Sequence, residues 1–187
     1  MSQKAMEVVK NLDIKRVSNR GRGRVFSYFG FIVIAAVEGV TRTLLRPSQT
    51  LQNEDGTVHV LNETWSDGKR GYIEGTAYKA DPRSEEAKLK VKLYVPPFLA
   101  IIPVVGDYWV LCIDDDYQYA LIGQPSWNYL WILCRQTHMD GEIYNQLVQK
   151  AEAVGYALSK LHRTPQSDSP PQVDDTTKGV CPSVLGW

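Results

Sequence analysis

The stretch AKLKVKLYV, residues 87–95, limits the possible folds of this chain more than any other segment. Apolar and basic residues alternate along it, with the period of a β-strand that has one buried face and one solvated face. The apolar side chains are those of Leu89, Val91, Leu93 and Val95, and the lysines are Lys88, Lys90 and Lys92. We therefore predict a sheet with one apolar face and one wet face.

Further strand-like segments lie on both sides of this stretch and are separated by turn residues. They are GTVHVLNETW and YIEGTAYKA before it, and DYWVLCI, YQYALIG and YLWILCRQ after it. The pattern then changes to a helical period between Asp140, a predicted N-cap, and Gly155, a predicted C-cap. Consecutive antiparallel strands followed by one amphipathic helix predict an all-β meander barrel with a helix packed outside it.

The length of 187 residues favours one domain with a proper core. We predict that residues 1–164 form the barrel and the helix. Residues 165–187 lack an apolar pattern, and we predict that they form a disordered tail.

The composition gives little support to several classes of function. Lys plus Arg equals Asp plus Glu at 21 each, so no net charge points to nucleic acid. The three cysteines are scattered, the three histidines lack metal-ligand spacing, and no catalytic or phosphate-binding motif is present. We predict no enzyme activity, no metal site and no cofactor. The start, MSQKAMEVVKNLDIKR, has no secretory pattern, which favours a cytoplasmic protein.

The connection VPPFLAIIP, residues 95–103, is long and apolar, although hairpin connections are usually short and polar. Prolines hold such a segment extended without hydrogen-bond donors. We hypothesise that its apolar side chains enter the interface of a bilayer. These side chains are Phe98, Leu99, Ile101 and Ile102. The alternatives are a loop folded over the barrel and a contact in a homo-oligomer.

Residues 25–37, VFSYFGFIVIAAV, are apolar on both faces. The segment is shorter than the ~20 residues that a transmembrane helix needs. We interpret it as a buried strand or helix, with a membrane-associated segment as the alternative.

Several of these segments together resemble the lipocalin family. They run from NEDGTVHVLNETWSDGKRGYIEGTAYKADP, through LKVKLYVPPFLAIIPVVGDYWVLCID, to YLWILCRQ and the following helix. Within the family, the chain is similar to the group of plant temperature-induced lipocalins, bacterial outer-membrane lipocalins and apolipoprotein D. The triplet Gly106-Asp107-Tyr108 matches the family's second motif, and Arg135 matches the third. The resemblance covers residues 6–16 and 53–178.

The resemblance implies an eight-stranded antiparallel up-and-down barrel that binds lipid and performs no catalysis. The implied ligand is a fatty acid, a lysophospholipid or a similar hydrophobic molecule. The implied location is peripheral to the plasma membrane, and the implied role is protection against temperature and oxidative stress. Strand parity then predicts a set of inward-facing, ligand-binding residues, which are Leu89, Val91, Leu93, Trp131 and Leu133.

Residues 17–52 depart from the family pattern. Family members carry a Gly-x-Trp motif on the first strand, whereas residues 17–52 contain no tryptophan. The first strand of the barrel is therefore in doubt, and without it we expect both neighbouring strands to keep open edges. We also expect Arg135 to lack its aromatic stacking partner. Val17-Ser18 and Gln52 are compatible with the codons GTGAGT and CAG at intron borders. The alternative is thus that the chain is a splice variant with an incomplete barrel. Such a variant would act as a membrane-surface or interaction protein, or would be a defective binder.

Overall fold

The computed structural model describes residues 6–14, 32–37, 51–52, 56–66, 69–94, 104–136 and 138–164. Its strands are β1 (Ile32–Val37), β2 (Leu51–Gln52), β3 (Val58–Ser66), β4 (Lys69–Lys79), β5 (Lys88–Tyr94), β6 (Val104–Ile113), β7 (Tyr119–Gly123), β8 (Leu130–Cys134) and β9 (Leu161–Arg163). The helix α1 (Gly141–Val154) and a short 3-10 helix (Leu158–Lys160) lie between β8 and β9.

The nine strands in the described part of the chain belong to one antiparallel sheet with the order β2-β3-β4-β5-β6-β7-β8-β1-β9. From β2 to β8 each strand pairs with the next strand in the sequence, as in a meander. The predicted all-β antiparallel architecture with a C-terminal helix is therefore confirmed. The short strand β9, which follows the helix, did not belong to the prediction.

β1 lies within the segment that departs from the family pattern, and it occupies the sheet position beside β8. It pairs with β8 on one side and with β9 on the other, so that Ala36 lies opposite both Trp131 and His162. The prediction of an open edge on β8 is therefore wrong, because β1 pairs with that edge. The run IVIAAV is rich in β-branched residues, which suit a strand whatever their origin.

The helix α1 begins and ends at the predicted caps. Asp140 Oδ1 accepts hydrogen bonds from the backbone N–H groups of Glu142 (2.7 Å) and Ile143 (3.2 Å). Gly155 follows the helix with a φ of 113°, in the left-handed region that favours glycine, and its N–H reaches the carbonyls of Ala151 and Glu152. Both predicted caps are confirmed.

α1 packs on one face of the sheet and buries an outer cluster there. The buried members of this cluster are Met6, Leu111, Leu121, Leu130, Ile132, Cys134, Leu147, Ala151 and Tyr156. Two side chains make three hydrogen bonds between the end of the helix region and the β7–β8 turn. Trp127 Nε1 donates to the carbonyl of Val154 (3.2 Å), and Tyr156 Oη contacts both the N–H and the carbonyl of Gln124.

Some predictions fall on residues outside the described ranges. These predictions concern the apolar connection at 95–103, the tail at 165–187 and most of the segment 25–37. Within the described part of the chain, no helix has the length and apolar character needed to cross a membrane.

We expect Ala36→Pro to lower the free energy of unfolding by about 1–3 kcal/mol, because proline removes a hydrogen-bond donor from a strand paired on both sides. Chemical denaturation measures this change. Hydrogen exchange of the unmodified protein is the companion measurement, since slow exchange of the amides of β1 is expected. Exchange of these amides at coil rates would contradict the pairing of β1.

Candidate ligand-binding site

The face of the sheet opposite α1 carries two apolar clusters, which together form the inner face. The floor cluster consists of Leu12, Ala87, Val110, Tyr117, Ala120, Ile122 and Leu133. The wall cluster consists of Val58, Ala77, Val91 and Leu93. Successive strand residues point to opposite faces, so one sheet serves both the helix and the inner face.

The five residues predicted to bind ligand all belong to this inner face. Val91 (8% exposed) and Leu93 (3% exposed) are in the wall cluster, and Leu133 is in the floor cluster. Leu89 and Trp131 are partly buried and pack against the floor cluster. The structure thus brings the five side chains onto one surface, and their role in binding remains a prediction.

The N-terminal segment, residues 6–14, begins in the outer cluster at Met6, and its residues 9–14 form a floor at one end of the inner face. The N–H of Val9 donates to the carbonyl of Val110 (2.8 Å), and the carbonyl of Val9 accepts from Ala87 (2.8 Å). Leu12 is buried in the floor cluster, and Ile14 packs against both inner clusters. The apolar alternation in NLDI is the sequence signal for this contribution, but it is too short to stand out.

Arg135 connects the end of β8 to this floor. Its Nε donates to the carbonyl of Tyr117 (2.6 Å), and burial lowers the pKa of its guanidinium from the ordinary value. Tyr117 has a φ of 58°, and its Oη accepts from the N–H of Asp13 (3.1 Å). Arg135 is therefore held by a backbone acceptor on the β6–β7 turn.

The triplet that resembles the second family motif lies in β6, with its residues on alternating faces. Gly106 is buried and pairs with Val91. Asp107 is on the outside, where its Oδ1 lies 3.1 Å from Lys90 Nζ. Tyr108 is on the inside, where it packs against both inner clusters.

Three aromatic rings make a continuous stack along the inner face. The ring centroids of Tyr108 and Trp131 are 6.1 Å apart, and those of Trp131 and Tyr129 are 6.0 Å apart. The planes of the two pairs differ by 23° and 11°, so the rings are nearly parallel. Burial raises the pKa of the Tyr108 phenol well above its usual range, which keeps its hydroxyl protonated.

Chemistry that needs a metal finds no support in the described part of the chain. No group of three or more His, Cys, Asp or Glu side chains there is arranged to hold a metal ion. Among the described residues no acidic or basic side chain is buried, and the inner clusters are apolar apart from the phenol of Tyr117. Such a surface can enclose an apolar molecule.

Comparisons with known proteins agree with this geometry. A family model described as a lipocalin-like domain matches residues 47–166. The chain belongs to the lipocalin family. This lipocalin is 59% identical to temperature-induced lipocalin-1 of Arabidopsis thaliana over 95% of its own length and 94% of that relative.

More distant relatives support the same family. The lipocalin is 30% identical to the outer membrane lipoprotein Blc of Citrobacter freundii, over 84% of its length and 81% of that protein. The solved structure of insecticyanin from Manduca sexta superposes with a TM-score of 0.68 at 16% identity, covering 92% of this chain and 90% of that one. At this identity the likeness of insecticyanin concerns the fold.

We expect Leu12→Ala to destabilise this lipocalin by about 2–4 kcal/mol, because the truncation leaves a cavity in the floor cluster. Chemical denaturation measures the loss. The matched control is Val105→Ala at a residue that is 48% exposed, where a change within about 0.5 kcal/mol is expected. Equal effects of the two substitutions would show that the N-terminal segment does not form the floor.

Proposed function

We propose that this lipocalin binds one single-chain lipid, such as a fatty acid or a lysophospholipid, on its inner face. The observation that carries this proposal is the apolar inner face itself, which the N-terminal segment covers at one end. A small antiparallel barrel of about eight strands, as the lipocalin family implies, has room for one small ligand.

The chemistry of the inner face supports a hydrophobic ligand. No acidic or basic side chain is buried on the inner face among the described residues. A charged group buried there would lose its hydration without gaining a partner, which costs several kcal/mol. The charged head of a lipid therefore stays at the end of the sheet opposite the floor. The lysines of β5 lie on the outer face and do not contact a ligand on the inner face.

We further propose that the protein docks peripherally on the plasma membrane from the cytoplasm and protects against temperature and oxidative stress. The apolar side chains of residues 98–102 support the docking, because they suit a bilayer interface. The names of two relatives, a temperature-induced lipocalin and an outer membrane lipoprotein, point in the same direction. No catalytic role belongs to the proposal, and the relatives reported above bear no enzymatic names.

Titration with a lysophosphatidylcholine below its micelle concentration should quench or shift the tryptophan fluorescence with saturation at about one lipid per chain. Trp131 reports the binding, since its ring lies on the inner face. Val91→Glu should abolish saturation, because it places a carboxylate in the wall cluster.

The matched control for this titration is Thr76→Glu. Thr76 lies on β4 opposite Lys92, on the outer side of the sheet, so a carboxylate there meets a favourable charge. Circular dichroism establishes that each variant is folded. A flat or unsaturable response of the unmodified protein would contradict lipid carriage and would favour the interaction-protein alternative.

The double variant Phe98→Asp plus Ile101→Asp should reduce co-sedimentation with vesicles of phosphatidylcholine and phosphatidylserine, because charged side chains do not enter the apolar part of the bilayer. Gln118→Asp plus Asn128→Asp is the control, since it adds the same charge at two exposed turn residues. Unchanged sedimentation of the loop variant would remove the docking hypothesis.

A further inference from the structure

The hydroxyl of Tyr108 is a hydrogen-bond donor on the inner face with no hydrogen-bond partner among the described residues. Its ring packs against both inner clusters and stacks on Trp131, which fixes the direction of the phenol. Tyr108 is half-buried, and its hydroxyl is not among the fully buried polar atoms that lack a partner, so water can reach it. A tyrosine in such a place usually finds a partner for its hydroxyl.

Leu89 lies directly opposite Tyr108 on β5, and the apolar wall cluster adjoins it. Lys79 follows on the same face, opposite Leu89 on β4, and its Nζ donates to the carbonyl of Ser84 (3.0 Å). An apolar ligand segment placed against this hydroxyl would strip its water and give nothing in return, at a cost of about 1–3 kcal/mol. A ligand that carries an oxygen at this point avoids that cost.

The position of Tyr108 along β6 places this oxygen far from the head of the ligand. β6 begins at Val104, at the end opposite the floor, and Tyr108 follows four residues later. At the rise of a β-strand, this distance is about 13 Å. Val110, two residues further, already contacts the N-terminal segment of the floor. The phenol thus lies deep in the inner space, beyond the reach of a head group held at the opposite end.

We propose that the preferred ligand is an acyl chain that bears an uncharged oxygen, a hydroxyl or keto group, well along its length, and that Tyr108 Oη donates a hydrogen bond to it. This inference rests on the proposed lipid binding and adds the chemical class of the lipid. The charged carboxylate or phosphate remains at the end opposite the floor, because a charged group moved into the apolar interior would lose its hydration.

Two fatty acids that differ by one hydroxyl test the inference. Ricinoleate carries a hydroxyl midway along the chain, and oleate is the same chain without it. Titration of the full-length protein by tryptophan fluorescence, below the micelle concentrations and with both carboxylates ionised, gives the two dissociation constants. We expect ricinoleate to bind about 2- to 12-fold more tightly, the range that one net hydrogen bond supplies.

Tyr108→Phe should make the two affinities equal, because it removes the hydroxyl and keeps the ring that stacks on Trp131. Tyr78→Phe on the outer side of β4, opposite Lys90, is the matched control and should preserve the difference. The preference of the unmodified protein is itself a test that needs no variant to fold.

The outcomes separate the inference from the function on which it rests. Saturable binding of both fatty acids with equal affinity would overturn the role of Tyr108 and leave lipid binding standing. A preference for ricinoleate that persists in Tyr108→Phe would also overturn it. Saturable binding of neither fatty acid, nor of lysophosphatidylcholine, would overturn the proposed function.

Discussion

The burial of both faces of the sheet at β6, β7 and β8 is the constraint on which the rest of the structure depends. Leu121 and Ile122 are adjacent in the chain, are 0% and 2% exposed, and belong to the outer and inner clusters respectively. The helix α1 covers the outer side, and the N-terminal segment covers the floor of the inner side. Because both coverings meet the same three strands, they also fix where the inner face remains available to a ligand.

The sequence predicts the parts of the fold that have a local cause. The alternation of Leu89, Val91 and Leu93 with lysines predicts both a strand and its inner face, because side-chain direction follows a period of two. The caps at Asp140 and Gly155 are likewise local, since each bonds within one helical turn. For β1 the sequence leaves a strand and a helix open, and for the floor segment it offers only the short alternation NLDI. Their positions depend on a free sheet edge and on an unfilled apolar surface, which are properties of the assembled strands.

The same distinction applies to the candidate site. Strand parity identifies Trp131 and Leu133 as inward-facing from the sequence, but it gives no distances between their side chains and others. The bond from Arg135 to the carbonyl of Tyr117 could not be predicted, because it requires the left-handed backbone at Tyr117. The sequence is equally silent on whether a described residue pairs with the hydroxyl of Tyr108. A hydrogen-bond partner depends on which strands lie side by side and on how far apart their side chains are.

The position of β1 has a consequence for how such a chain can change over evolutionary time. The pairing of a strand with its neighbours depends mainly on backbone N–H and C=O groups. Every residue except proline supplies both groups. Selection on that stretch is therefore permissive, whereas selection on β6 to β8 must respect two packed surfaces at once. The strand position beside β8 can therefore accept a different amino-acid sequence, while the other strands keep their packing.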